Sequence, residues 1–228
     1  DRNGAETKYE YDKNNRLTRV IDPLGGVTAY TYDALGQITK TVSPAGNENS
    51  AVYDSMGRTV SSTNARGFAT QYEYDALGRV TAMTNPDGTS VSYTYDANGQ
   101  LLTATDELGN VTSYVYDANG RMTSMTDVMG GKTEHTYDAM GNLTSTTDPM
   151  GHTTSYTYDL NNAIASVTDP AGGTVRYTYN ANGLLDTLTD ANGGVTSYTY
   201  DANGNQATIT DAEGHTTAYT YDKLDRLT

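Results

Sequence analysis

Hydrophobic and polar positions alternate with a period of two over short stretches of this 228-residue chain, and clusters of Gly, Asn, Asp or Pro interrupt the alternation at regular intervals. In the stretch Val27 to Gly36, Thr28, Tyr30 and Tyr32 fall on one side of an extended strand, and Val27, Ala29 and Thr31 on the other. Stretches rich in Thr, Val, Tyr and Leu and bounded by turn residues predict β-strands joined by tight turns, with no helix longer than one turn.

The alternation itself repeats. A Tyr-Asp pair begins at Tyr11, Tyr32, Tyr53, Tyr74, Tyr95, Tyr116, Tyr137, Tyr158, Tyr200 and Tyr221, and Tyr179-Asn180 fills the remaining slot, so the interval is always 21 residues. The motif's first Tyr stands two positions earlier, as at Tyr30, Tyr72, Tyr93 and Tyr114, with Ala51 and His135 as the exceptions. These two columns hold all 20 Tyr. Each unit carries two turn signatures. The first runs from Asp33 to Gly36, Asp75 to Gly78, Asp96 to Gly99 and Asp117 to Gly120; the second is the type of Asp22-Pro23-Leu24-Gly25. Asp, Asn or Ser at the first position caps the turn, Pro at the second presets φ, and Gly at the fourth accepts the left-handed conformation. This describes a type I turn with a G1 bulge. Where the first-turn Gly is missing, Asn15, Asn162 and Asp225 stand in its place, and these residue types tolerate positive φ best among the rest.

Removing two turns from each unit leaves strands of roughly seven or eight residues, about 25 Å long. The expected fold is all-β, a continuous antiparallel meander of 21-residue hairpins over residues 1–228, without insertion or linker, in about eleven repeats. A column containing Leu17, Ile38, Val80, Leu101, Leu143 and Leu185 is the expected aliphatic partner of the Tyr ladders. Such an array gains stability from neighbouring repeats rather than from a large core.

Composition then narrows the chemistry. There is no Cys, hence no disulfide, zinc ribbon or thiol nucleophile, and the formal charge of −14 argues against nucleic acid and anionic membrane as partners. No apolar run is long enough to span a bilayer, so membrane insertion is not expected. The chain opens at Asp1 without Met, as a segment of a larger protein would. Rows of Asp suggest calcium, yet turn capping explains them better, because Ser43, Asn64, Asn85 and Asn180 keep the cap while losing the charge. His152 and His215 lie three repeats apart, too far to share a metal, and no Ser, His or carboxylate set forms a catalytic constellation. No catalytic, metal or cofactor residue is therefore assigned. The third repeat is the least regular, with Ala51 for Tyr and Asn64-Ala65-Arg66 for the usual acidic turn; a local bulge or a contact site could produce this, and drift in a tolerant repeat is the preferred account.

With these columns laid out, the chain resembles the YD-repeat, or Rhs-repeat, family of large secreted and surface proteins. The motif YTYDANG recurs at residues 93–99 and 198–204, YTYDALG at 30–36 and YEYDALG at 72–78, and the likeness covers the whole chain. The resemblance implies a hairpin ribbon that spirals into a solenoid or shell, as in bacterial polymorphic toxins, insecticidal toxin complexes and teneurins. It also implies a non-enzymatic, extracellular wall around an effector or toxin domain of the same polypeptide. The alternatives are a surface adhesin that stacks glycans on its Tyr ladders and a fibre or filament module that self-associates through its terminal strands.

Overall fold

The computed structural model describes residues 6–228 and is all-β, with twenty-one strands from Lys8–Tyr11 to Thr216–Ala218 and no helix among the described residues. The described residues divide into two compact units, one ending at Ser113 and the other beginning at Tyr114. In the first, Val27–Tyr32 pairs antiparallel with Ile38–Val42, which pairs in turn with Glu48–Tyr53. In the second, Lys132–Tyr137, Leu143–Thr147 and Thr153–Tyr158 follow the same order. Each unit is thus a meander of hairpins, as the sequence pattern predicts.

Turn chemistry fixes the hairpins. Gly36 N donates to Asp33 O at 3.2 Å and Asp33 N to Gln37 O at 3.0 Å; at the second turn Gly46 N donates to Ser43 O and Ser43 N to Asn47 O, both at 2.9 Å. These bonds define a type I turn followed by a G1 bulge. Gly36 and Gly46 sit at φ 87° and 77°, and among the described residues the non-Gly residues with positive φ are Asn15, Asn162 and Asp225, the expected substitutes. The strands are shorter than expected, typically five or six residues, as in Ile38–Val42 and Val27–Tyr32, because turn and bulge together take up more chain than three residues.

A second bulge follows the first turn only. Thr31 faces Lys40 but Tyr32 faces Ile38, which leaves Thr39 as an extra residue; the same shift falls between Glu73 and Tyr74 and between Thr178 and Tyr179. The ladder from Lys40↔Ser50 to Val42↔Glu48 runs without a shift. Residues three apart lie on opposite faces of a regular strand. Here the bulge turns both of them toward the Tyr pair, so Leu185 faces Tyr179 while Leu188 faces Tyr177. This corrects the expected pairing. The Leu17 column opposes only the second Tyr of each motif, and the first Tyr opposes another column, as in Tyr9↔Val20, Tyr72↔Met83 and Tyr198↔Ile209.

The opposite face carries hydroxyls. Thr94 and Thr103 meet at 2.6 Å between Oγ1 atoms, Thr157 and Ser166 at 2.7 Å, and Thr199 and Thr208 at 2.6 Å. No hydrophobic side chain is fully buried among the described residues, and Ser124, 7% exposed, is the one buried polar residue. Stability therefore resides in backbone ladders and half-covered cross-strand pairs, each contributing about 0.2–1 kcal/mol.

Candidate functional site: the junctions between repeats

The Asp that opens each turn is bound first to its own backbone. Asp117 Oδ1 accepts from Asn119 N at 2.9 Å and Arg121 N at 3.0 Å; Asp33, Asp75 and Asp96 accept in the same way from the residues two and four further on. The second oxygen reaches a side chain. Arg121 Nε donates to Asp117 Oδ2 at 2.7 Å, and Arg79 Nε to Asp75 Oδ2 at 2.6 Å. The Arg121 side-chain bond, followed by the backbone donors, holds the Asp117 carboxyl below its ordinary range. At Asp12 the backbone N–H of Arg16 is the leading cause of the same lowering.

The same guanidinium then crosses to the next repeat. Arg16 Nη1 donates to Asp33 O, Arg58 Nη1 to Asp75 O, Arg79 Nη1 to Asp96 O and Arg121 Nη1 to Asp138 O, all at 3.0 Å. Each also lies over the second Tyr of that next repeat, with Cζ 4.6–4.8 Å from the ring centroids of Tyr32, Tyr74, Tyr95 and Tyr137. The planar fork of Arg serves two acceptors and a ring face at once, which an ammonium cannot do.

Tyr completes the junction. Tyr32 Oη donates to Leu17 O at 2.6 Å, Tyr74 to Thr59 O at 2.7 Å and Tyr95 to Val80 O at 2.9 Å. Each acceptor belongs to the preceding repeat, at the bulge described above. The second Tyr thus binds backward through its hydroxyl while Arg binds forward over its ring. Tyr30, Tyr72, Tyr93 and Tyr114 are half-buried in their strands; Tyr30, Tyr72 and Tyr93 face Thr41, Met83 and Ala104. Tyr116 is likewise half-buried, and Gly78, Gly99 and Gly120 close their turns at φ 84°, 92° and 83°.

At Gln37, Asn142 and Asn205 an amide stands in the place of Arg, while Ala163 and Leu184 occupy it in two other repeats. Gln37 Nε2 donates to Gly57 O at 2.8 Å. Asn142 Nδ2 donates to Asp138 Oδ2 at 3.0 Å and to Asn162 Oδ1 at 3.1 Å, and Asn205 Nδ2 reaches Asp201 Oδ2 at 3.1 Å and Asp225 Oδ1 at 2.7 Å. Asn162 and Asp225 are non-Gly residues at positive φ, so an unusual turn residue is met by an Asn from the repeat before it.

The Arg column was not singled out from the sequence, although its signal is there: Arg16, Arg58, Arg79, Arg121 and Arg226 all stand four residues after a first-turn Asp. Among the described residues no group of three or more His, Cys, Asp or Glu stands together as a metal cage. His152 and His215 instead pair through Nδ1 with Asp148 Oδ2 at 2.9 Å and Asp211 Oδ2 at 3.1 Å, while His135 Nδ1 lies 3.1 Å from Thr146 Oγ1.

These columns are those of a known family. The sequence matches the Teneurin YD-shell family model over residues 2–131 and the RHS Repeat model over 124–151, 137–174, 158–195, 179–216 and 200–228. A sequence comparison with curated proteins finds no match. Among solved structures the chain is similar in fold to TcdB2-TccC3 without its hypervariable C-terminal region and to TcdB2-TccC3-Cdc42. Each shares 19% identity at a TM-score of 0.61 over 98% of this chain. The chain spans 14% of the length of those larger chains. The Teneurin YD-shell model alone accounts for more than half of the residues, and on that ground the chain belongs to the YD-shell family.

Proposed function

We propose that this array is a stretch of non-enzymatic shell wall in a larger secreted or cell-surface bacterial protein, residues 1–228 acting as one scaffold that encloses or displays an effector domain of the same polypeptide. One observation carries this reading. The groups that recur along the array join one repeat to the next: a carboxylate caps its own turn, Arg79 bridges from Asp75 to Asp96 O, and Tyr95 returns a hydroxyl to Val80 O. A set of recurring junctions extends a sheet. A similar fold occurs in TcdB2-TccC3, one structure of which lacks a hypervariable C-terminal region, so a variable segment accompanies this kind of wall in at least that protein.

The test is limited proteolysis of the parent polypeptide. The segment encoded beyond the array should resist protease while the junctions are intact and become digestible when Arg58, Arg79 and Arg121 are together replaced by Ala. A segment equally sensitive in both forms overturns enclosure.

A further inference from the structure

Among the described residues, five exposed turns place Asn directly before the left-handed Gly: Asn98-Gly99, Asn119-Gly120, Asn182-Gly183, Asn192-Gly193 and Asn203-Gly204. A side-chain amide before Gly is open to attack by the next backbone nitrogen, because Gly has no Cβ to shield it. Two features of the closed turn prevent this. Ring closure needs Asn Cβ and the Gly nitrogen eclipsed about the Cα–C bond, far from the ψ of about 0° that a type I turn imposes at its third residue. The Gly N–H is also spent, Gly120 N donating to Asp117 O at 3.0 Å and Gly183 N to Asn180 O at 2.9 Å. Reaction therefore waits on local opening of the turn.

What resists opening differs from turn to turn. The Asn119 turn is capped by a carboxylate and tied on by Arg121, whose Nε donates to Asp117 Oδ2 at 2.7 Å and whose Nη1 donates to Asp138 O at 3.0 Å. Asn203 Nδ2 donates to Asp225 Oδ1 at 3.0 Å, which anchors the amide itself. Asn192 keeps a carboxylate cap, Asp190 Oδ1 accepting from Asn192 N at 2.8 Å and Gly194 N at 2.9 Å. The Asn182 turn has a neutral cap: Asn180 Oδ1 accepts from Asn182 N at 2.9 Å and Leu184 N at 3.1 Å, without the strength that charge lends such bonds. Its bridges are missing as well. Ala163 stands where Arg or an amide of the preceding repeat would reach toward this turn, and Leu184 stands where its own bridge to the next repeat would begin. No other first turn lacks a polar side chain at both of these positions.

We infer that Asn182 is a site of intramolecular deamidation, the covalent weak point of the array. When the turn opens, the Gly183 nitrogen loses its proton to solvent and its lone pair attacks Asn182 Cγ. The Cγ–Nδ2 bond breaks, ammonia leaves with a proton taken from water, and a five-membered succinimide remains. Water then opens either carbonyl of the ring, giving Asp or an isoaspartyl residue. A carboxylate cap opposes loss of the Gly proton, and the neutral Asn180 does not. Either product adds a negative charge, and the isoaspartyl form lengthens the main chain of the turn by one methylene. The site is independent of whether the array encloses an effector.

Peptide mapping by mass spectrometry, after the folded protein is held at mildly alkaline pH, reads each Asn separately. Asn182 should convert first, at least about fivefold faster than Asn119 or Asn203 and faster than Asn98 or Asn192. In concentrated urea the five rates should fall within about twofold of one another, since each Asn is then followed by an unrestrained Gly. Asn180→Asp combined with Leu184→Arg rebuilds the arrangement of Asp117 and Arg121 and should slow Asn182 about fivefold, while Arg121→Leu should hasten Asn119. Near-ultraviolet dichroism of the Tyr ladders checks that each variant is folded. The inference is overturned if another of the five converts before Asn182 in the folded protein, if Asn182 leads by the same margin in urea, or if the rebuilt junction leaves its rate unchanged.

Discussion

Arg79 lies over the ring of Tyr95 with Cζ 4.6 Å from the centroid, while its Nη1 donates to the backbone oxygen of the adjoining Asp96 at 3.0 Å. One side chain therefore holds the ring and the turn of the following repeat while anchored to Asp75 in its own. Arg79→Lys keeps the charge but loses the fork and the flat stack. Amide hydrogen exchange in Val80–Thr84 and Ser90–Tyr95 should accelerate several-fold in Arg79→Ala, somewhat less in Arg79→Lys, and least in Arg79→Gln, which copies Gln37. Unchanged protection in Arg79→Ala would show that the contact does not couple repeats.

The two Tyr of each motif differ in their hydroxyls, and this gives a matched pair of variants. Tyr95 Oη donates to Val80 O at 2.9 Å, whereas Tyr93 has no hydroxyl partner among the described residues. Tyr95→Phe should cost about 1 kcal/mol in urea denaturation, and Tyr93→Phe should stay within roughly 0.5 kcal/mol of the parent. Equal losses from the two would remove the hydroxyl from the account of the junction.

Gly141 closes its turn at φ 98°, and an added Cβ would lie 3.7 Å from Arg121 Nη1, so crowding is not the obstacle. Backbone conformation is. Gly141→Val places a β-branched side chain in the left-handed region and should cost on the order of 1–2 kcal/mol, while Gly141→Asn should cost a few tenths, as Asn162 already tolerates φ 63°. The damage should be concentrated in the adjacent hairpins, where hydrogen exchange can locate it. Melting shifts of the same size for both variants would contradict the turn assignment.

These turns were legible in the sequence because positive φ and an i to i+3 bond are local demands with few residues able to meet them. Asn15, Asn162 and Asp225 could be placed without knowing anything beyond their own turns. The second bulge is different, since it depends on what lies opposite. Its trace is an apolar spacing of three within a strand, Val80 with Met83 or Leu185 with Leu188, which strict alternation treats as a contradiction and a bulge reconciles. The Arg and Asn bridges were hidden for another reason: they join residues 17 or 20 positions apart, and turn propensity says nothing about the neighbouring turn.

Acid should loosen the junctions, and the direction follows from the carboxyls. Asp12, Asp54, Asp75, Asp117 and Asp138 are all held below their ordinary range by backbone and side-chain donors. A group whose folded value is depressed contributes stability that is present above its unfolded pKa, about 4, and is lost as pH falls through the folded value. Relief of self-repulsion in a chain of charge −14 acts in the opposite direction as the carboxylates protonate, so total stability alone cannot isolate the caps. Asp117→Asn can. Asn180 shows that Asn keeps the cap, its Oδ1 accepting from Asn182 N at 2.9 Å and Leu184 N at 3.1 Å, while it offers Arg121 no carboxylate. The variant should be less stable than the parent at neutral pH, and the gap should close as pH falls below about 4 and through the depressed value at which Asp117 of the parent takes up its proton. A gap that stays constant over that range would mean the Asp117 carboxylate is not favoured in the folded state, and the junction would then rest on the Tyr hydroxyl and the Arg stack alone.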